Sequence, residues 1–184
     1  MAVSQWMRLR REWTRPTCQP RVGWQDAVMT IVGVTGHSDL TDRTAELARD
    51  ELAKVLKPLS GDLIGMTCLA RGADQVFADV VLGLGGRVRV VVPAADYFTS
   101  ISDPHSRQRC EKYLSAAELT IAMDFEKSGP AAYFAASRYL VDHCDVLIAV
   151  WDGSTSSGTA DAVADARDRD RQIIVVWPAG AERS

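Results

Sequence analysis

Long apolar runs are missing from this 184-residue chain. A helix that crosses a bilayer needs roughly 18–20 consecutive apolar residues, and the longest strand-like run is only 145–151. Arg8, Arg10 and Arg11 are followed by Glu12 and Trp13 rather than by an apolar stretch, so no secretory signal is expected. Cysteine is sparse and scattered. Cys18, Cys68, Cys110 and Cys144 show no CxxC or other metal-ligand spacing, which argues against a disulfide framework and against a bound metal. A basic excess is missing too. Against 21 basic residues stand 24 acidic ones, a net charge of −3, and that balance argues against a nucleic-acid partner. These absences together lead to the expectation of a cytoplasmic protein with no membrane partner.

What the chain does contain is the material for one core. Apolar residues make up 47% and charged residues 24%, near the average for a globular domain. The charge is unevenly spread. Residues 1–27 carry Arg8, Arg10, Arg11, Arg15 and Arg21 against Glu12 and Asp26, together with Trp6, Trp13 and Trp24. They show no sustained period of 2 or 3.6. This basic, aromatic arm reads either as a frayed tail, with Met29 a natural start for the domain behind it, or as a segment that docks on a partner. Residues 28–184 read as a single, acidic domain.

Within that domain short apolar runs alternate with amphipathic stretches. Strands are expected at 28–34, 62–67, 87–92, 118–123, 145–151 and 172–177, rich in Val and Ile and apolar on both faces. Ala73, Val76, Phe77, Val80, Val81 and Leu84 form a helical stripe, as do Ala48, Leu52, Val55, Leu56 and Leu59 with Thr41 as N-cap. Further helices are expected at 104–117, 130–143 and 159–170. This β/α alternation predicts a Rossmann-like three-layer α/β sandwich on a mostly parallel sheet of about six or seven strands. The first strand is expected at the centre, between the second and the fifth.

In such folds ligands bind beyond the carboxyl ends of the strands. Gly36, His37 and Ser38 follow the first strand, Arg71, Gly72 and Asp74 the second, and Asp152, Gly153, Ser157, Gly158 and Thr159 the fifth. Ser157, Gly158 and Thr159 combine small residues with hydroxyls at the start of a helix. Backbone N–H groups and the helix dipole there suit a phosphate; the alternative is a flexible turn with Thr159 capping its own helix. No G-x-x-x-x-G-K-[ST] occurs, and no G-x-G-x-x-G follows the first strand, so a P-loop NTPase is excluded and an ordinary NAD enzyme disfavoured. His37 suits a general acid or base, a simple hydrogen bond to a ligand, or packing. Tyr97, Tyr133 and Trp151 lie near the same edge and are candidates to stack on a flat ring.

The segments VGVTGHSDL, LARGADQVFADV, VVVPAADY and DHCDVLIAVWDGSTSSGTADAVADAR together resemble the SLOG superfamily, which joins the Smf/DprA and LOG proteins. The resemblance covers about residues 29–178. It implies a Rossmann-like fold that binds a nucleotide or nucleotide-derived ligand as sensor or carrier. By resemblance, Gly36 and His37 line one side of the pocket, Gly72 and Asp74 flank it, and Ser157 to Thr159 hold phosphate. Ser38 stands where the family's first loop usually has arginine. The alternative is a LOG-like phosphoribohydrolase cleaving a nucleoside monophosphate, with Asp161, His37 and Arg138 as catalytic residues. There the family's glutamate falls on Ala162, and Asp161 is turned from it by about 100° on a helix. Single-stranded DNA binding, as in the Smf/DprA branch, is disfavoured on charge alone. No cofactor is implied beyond the bound nucleotide or phosphate, and a homodimer or higher oligomer is expected.

Overall fold

Six strands and five helices alternate along residues 29–184, the part of the chain that the computed structural model describes. Residues 1–27, and with them the proposed arm and Cys18, lie outside the described residues. The strands are β1 (Thr30–Gly36), β2 (Leu63–Thr67), β3 (Arg87–Val92), β4 (Leu119–Ala122), β5 (Val146–Val150) and β6 (Gln172–Val176). The helices are α1 (Asp42–Leu56), α2 (Ala73–Gly83), α3 (Pro104–Ala116), α4 (Pro130–His143) and α5 (Gly158–Asp168). One 3-10 turn, Lys57–Leu59, extends α1.

The sheet runs β4-β3-β2-β1-β5-β6 and every pairing is parallel. The expected sandwich is therefore present, with six strands and with β1 between β2 and β5. Strand period sorts side chains between two cores. Val32 and Val34 of β1, Leu63 of β2 and Val88 and Val90 of β3 face α1, α2 and α3, where Leu52, Leu56, Phe77, Val81 and Tyr113 are fully buried. Met66, Val91 and Leu147 face the other way, against Ala136, Leu140 and Val141 of α4 and Ala166 of α5.

Glycines set how closely the layers approach. A Cβ on Gly33 would lie 2.4 Å from Leu140 of α4, and one on Gly65 would lie 2.7 Å from Val81 of α2. Thr41 is the N-cap of α1 and accepts from the Thr44 N–H, as the sequence suggests. The cap of α5 is not the Thr159 of the alternative reading. Ser157, one residue before the helix, accepts from the Ala160 N–H at 3.2 Å, while Thr159 is buried inside the first turn. Cys110 lies in α3, whereas Cys68 and Cys144 fall one residue beyond β2 and α4, and all three are free thiols. No described helix is long and apolar enough to cross a membrane.

Candidate functional site

The strand order places a switch point between β1 and β5. From β1 the chain works outward through β2, β3 and β4, then returns to lay β5 on the other flank of β1. The helices that follow these two neighbours go to opposite faces: α1 joins one core and α5 the other. The place where the two loops part is the usual ligand position in a doubly wound sheet. Gly36, His37 and Ser38 supply one wall, and Asp152 to Thr159 the other.

Backbone contacts lock the first wall. The His37 N–H donates to the Val150 carbonyl at 3.1 Å, and the His37 carbonyl accepts from the Ala73 N–H at 3.1 Å. A Cβ on Gly36 would lie 2.4 Å from Ala73 and 2.9 Å from Val150, so only glycine lets β1, β5 and the start of α2 meet there. Gly72 has φ of +81°, and a Cβ on it would fall 2.5 Å from the His37 carbonyl oxygen. The β1–α1 and β2–α2 loops are thus one packed unit that holds His37, Ser38 and Gly72 together.

His37 is buried, at 3% exposure, and its ring stands edge-on to Trp177 with centroids 5.6 Å apart. Its Nε2 lies 2.8 Å from Asp152 Oδ1, which also accepts from the Ser154 N–H at 2.9 Å. The other Asp152 oxygen is 3.7 Å from Arg183 Nη1. Hydrogen bonding from Ser154, with His37 adding to it, holds the Asp152 carboxyl below the usual carboxylate range. Arg183 also grips Asp39, with Nη2 at 2.9 Å and Nε at 3.1 Å, and this pairing lowers the Asp39 carboxyl as well.

Asp74 turns away from the crevice and into the β2–α2 loop. Its Oδ2 accepts from the Thr67 hydroxyl at 2.9 Å and from the Cys68 and Ala70 N–H groups at 3.1 and 3.3 Å. Burial pushes its carboxyl up to about 6, against these hydrogen bonds, which lower it. Asp74 therefore braces the loop on which Arg71 stands exposed. Burial also pushes the Cys68 thiol up, away from any thiolate chemistry.

The second wall ends in the start of α5. The first N–H groups of an α-helix have no carbonyl partner within the helix. Ser157 satisfies that of Ala160, which leaves those of Gly158 and Thr159 at the head of the dipole. A Cβ on Gly158 would meet nothing within 4 Å, so open space lies before it. Gly153, at φ of +88°, makes the turn that leads into this loop. Asp161 is exposed on the first turn of α5, and Arg138 is exposed on α4. Tyr97 is buried with its ring edge-on to Tyr133 at 6.0 Å, and Trp151 donates its indole N–H to the Ser154 carbonyl.

Sequence reading missed Trp177, Asp39 and Arg183. Arg183 is 144 residues from Asp39, and no period or motif connects the two. The one available signal was the position of Asp39 in a strand-end loop.

No protein-family model matches the chain, and a search of curated proteins finds no match. Solved structures do match. DNA processing protein A from Streptococcus pneumoniae has a TM-score of 0.67 at 19% identity, over 83% of this chain and 52% of that one. The fold is the one that the resemblance to the SLOG superfamily implies. DNA processing protein A from Helicobacter pylori, described by its single-stranded DNA binding mode, gives 0.62 at 16% identity, over 84% and 69% of the two chains. The molybdenum cofactor binding protein of Rippkaea orientalis gives 0.58 at 18% identity, over 83% and 79%. The chain spans about half the length of the Streptococcus protein. At these identities the likeness is one of fold.

That likeness corrects one reading. The charge balance argued against a nucleic-acid partner, yet the Helicobacter protein, which contains this fold, is described by its single-stranded DNA binding mode. Net charge is the wrong measure here. A few N–H groups at a helix start hold a phosphate whatever the sign of the remaining surface.

Proposed function

We propose that this protein binds a nucleotide or nucleotide-derived phosphorylated ligand in the crevice between β1 and β5, acting as a sensor or carrier. The observation that carries the reading is the start of α5. Its Gly158 and Thr159 N–H groups have no carbonyl partner within the helix, and a Cβ on Gly158, beside the switch point of the sheet, would meet nothing within 4 Å. Ser157 accepts from its own helix and keeps its hydroxyl hydrogen for a ligand oxygen. Gly36, His37, Ser38 and Gly72 form the opposite wall.

Binding without turnover fits the carboxylates better than hydrolysis does. Ala162, where the LOG glutamate would fall, is buried at 3% exposure. The Asp152 carboxylate is already engaged by His37, Ser154 and Arg183. A second reading takes the phosphate from single-stranded DNA instead, and it rests on the likeness to the Helicobacter protein. The same loop would then hold one phosphate of the strand.

A thermal-shift panel tests both readings. It holds nucleoside monophosphates, ADP-ribose, a cyclic dinucleotide and 5′-phosphorylated oligo(dT), each beside its unphosphorylated counterpart. A ligand at about a hundredfold over its Kd adds about 2.7 kcal/mol. For a domain of this size that raises the melting temperature by about 5–10 °C. Phosphorylated members are expected to stabilise and their counterparts not, with no base released in chromatography of the same mixtures. A panel without any phosphate-dependent shift would refute the proposal.

A further inference from the structure

We propose that Arg183 is the side chain that meets the ligand's phosphate, giving up Asp39 as its partner when the crevice fills; this rests on the phosphate-binding reading above. Neither of the two facing loops carries a lysine or arginine of its own. Residues 37–41 are His-Ser-Asp-Leu-Thr and residues 151–157 are Trp-Asp-Gly-Ser-Thr-Ser-Ser. The stretch after β6 supplies what they lack. Leu40 and Arg183 form an isolated antiparallel bridge. The Thr44 hydroxyl donates to the Glu182 carbonyl at 2.8 Å, and the Ser184 N–H donates to the Asp39 carbonyl at 2.7 Å. These bonds fix the backbone of Arg183 against the β1–α1 loop.

From that anchor the guanidinium reaches between the two walls. Nε and Nη2 are spent on Asp39, while Nη1 lies 3.7 Å from Asp152 Oδ2, too far for a hydrogen bond. Nη1 thus holds Asp152 only by this longer ion pair, on a side chain that is 40% exposed. A planar fork of this kind matches a phosphate in the same way that it matches a carboxylate. An ion pair as exposed as Arg183–Asp39 is weak in water, so a doubly charged phosphate is the stronger partner.

A purely structural clasp and a ligand contact predict opposite effects at Asp39. Calorimetric titration of the full chain with inorganic phosphate and with adenosine 5′-monophosphate distinguishes them. Arg183→Ala is expected to weaken both about tenfold, and Arg183→Lys less, because the charge stays while the fork is lost. Asp39→Asn is expected to tighten both several-fold, since it removes the carboxylate that competes with phosphate. Melting temperatures measured alongside report the clasp: Arg183→Ala and Asp39→Asn should each lower them. Unchanged affinity in folded Arg183→Ala, or weaker binding in folded Asp39→Asn, would overturn the inference. Absence of binding to the wild-type chain would overturn the phosphate-binding reading with it. Binding lost in Gly158→Val but kept in Arg183→Ala would overturn the role of Arg183 alone.

Discussion

Asp74 sits at 5% exposure with three donors on one of its oxygens, and burial still outweighs them, leaving its carboxyl at about 6. In the unfolded chain an aspartate titrates near 3.9. Between about pH 4 and pH 6 the folded protein therefore keeps a proton that the unfolded chain has released, and stability falls as pH rises through this window. The difference amounts to about 3 kcal/mol. Asp39 and Asp152, both lowered, act in the opposite sense: their contribution is present above the unfolded value and is lost as pH falls below it. Asp74→Asn isolates the first effect. Denaturant unfolding from pH 4 to pH 7 is expected to show the variant gaining on the wild type by about 3 kcal/mol; parallel curves would contradict it. At this scale His37, Gly72 and Asp152 were legible as residues of loops at the carboxyl ends of strands. Asp74 was legible as a strand-end residue, but its inward turn depends on Thr67 and on two backbone N–H groups, which no motif announces. Arg183 was not legible, because only tertiary packing brings it to Asp39.

At the scale of elements, the close approach of β1, β5 and α2 is set by Gly36. Alanine there would drive its Cβ to 2.4 Å from Ala73 and 2.9 Å from the Val150 backbone, neither of which is a flexible chain end. Gly36→Ala is expected to cost about 1–3 kcal/mol of unfolding free energy, as overpacked cores do. Gly83 is the contrast. It ends α2, and a Cβ added to it would meet nothing within 4 Å, so Gly83→Ala is expected to be neutral or to gain up to about 1 kcal/mol. Chemical denaturation of the two variants side by side checks both figures; equal losses would show that the strand–helix approach is not the cause. The elements themselves were legible from apolar period alone. The stripe from Ala73 to Leu84 gave α2, and runs of Val and Ile gave each strand to within two residues. The cap of α5 was not, since Ser156, Ser157 and Thr159 are all good capping residues, and only the path of the loop selects Ser157.

At the scale of the molecule, the described residues 29–184 supply six strands, two cores and both walls of the proposed site. A chain that starts at Met29 is expected to unfold in one cooperative transition and to bind phosphorylated ligands within about twofold of the full chain, or under 0.5 kcal/mol. Loss of either property, measured by calorimetry, would assign a structural or binding role to residues 1–28. Fold class and the central position of β1 were legible at this scale because β/α alternation and right-handed crossovers leave few arrangements. The charge reading of the partner ran against the likeness to the Helicobacter protein, because net charge averages over a surface on which the proposed phosphate contacts would be a handful of local donors.

The central claim is that the start of α5 holds a phosphate, and one titration tests it most directly. Gly158 faces open space, so Gly158→Val adds bulk where the anion would sit while leaving both cores untouched. Losing two hydrogen bonds to a charged group costs about 3–6 kcal/mol, at roughly 1.5–3 each. That is enough to abolish a micromolar interaction. Isothermal titration of wild type and Gly158→Val with the best phosphorylated ligand from the panel is expected to show binding in the first and none in the second. A folded Gly158→Val protein that binds with unchanged affinity would place the ligand elsewhere and contradict the account.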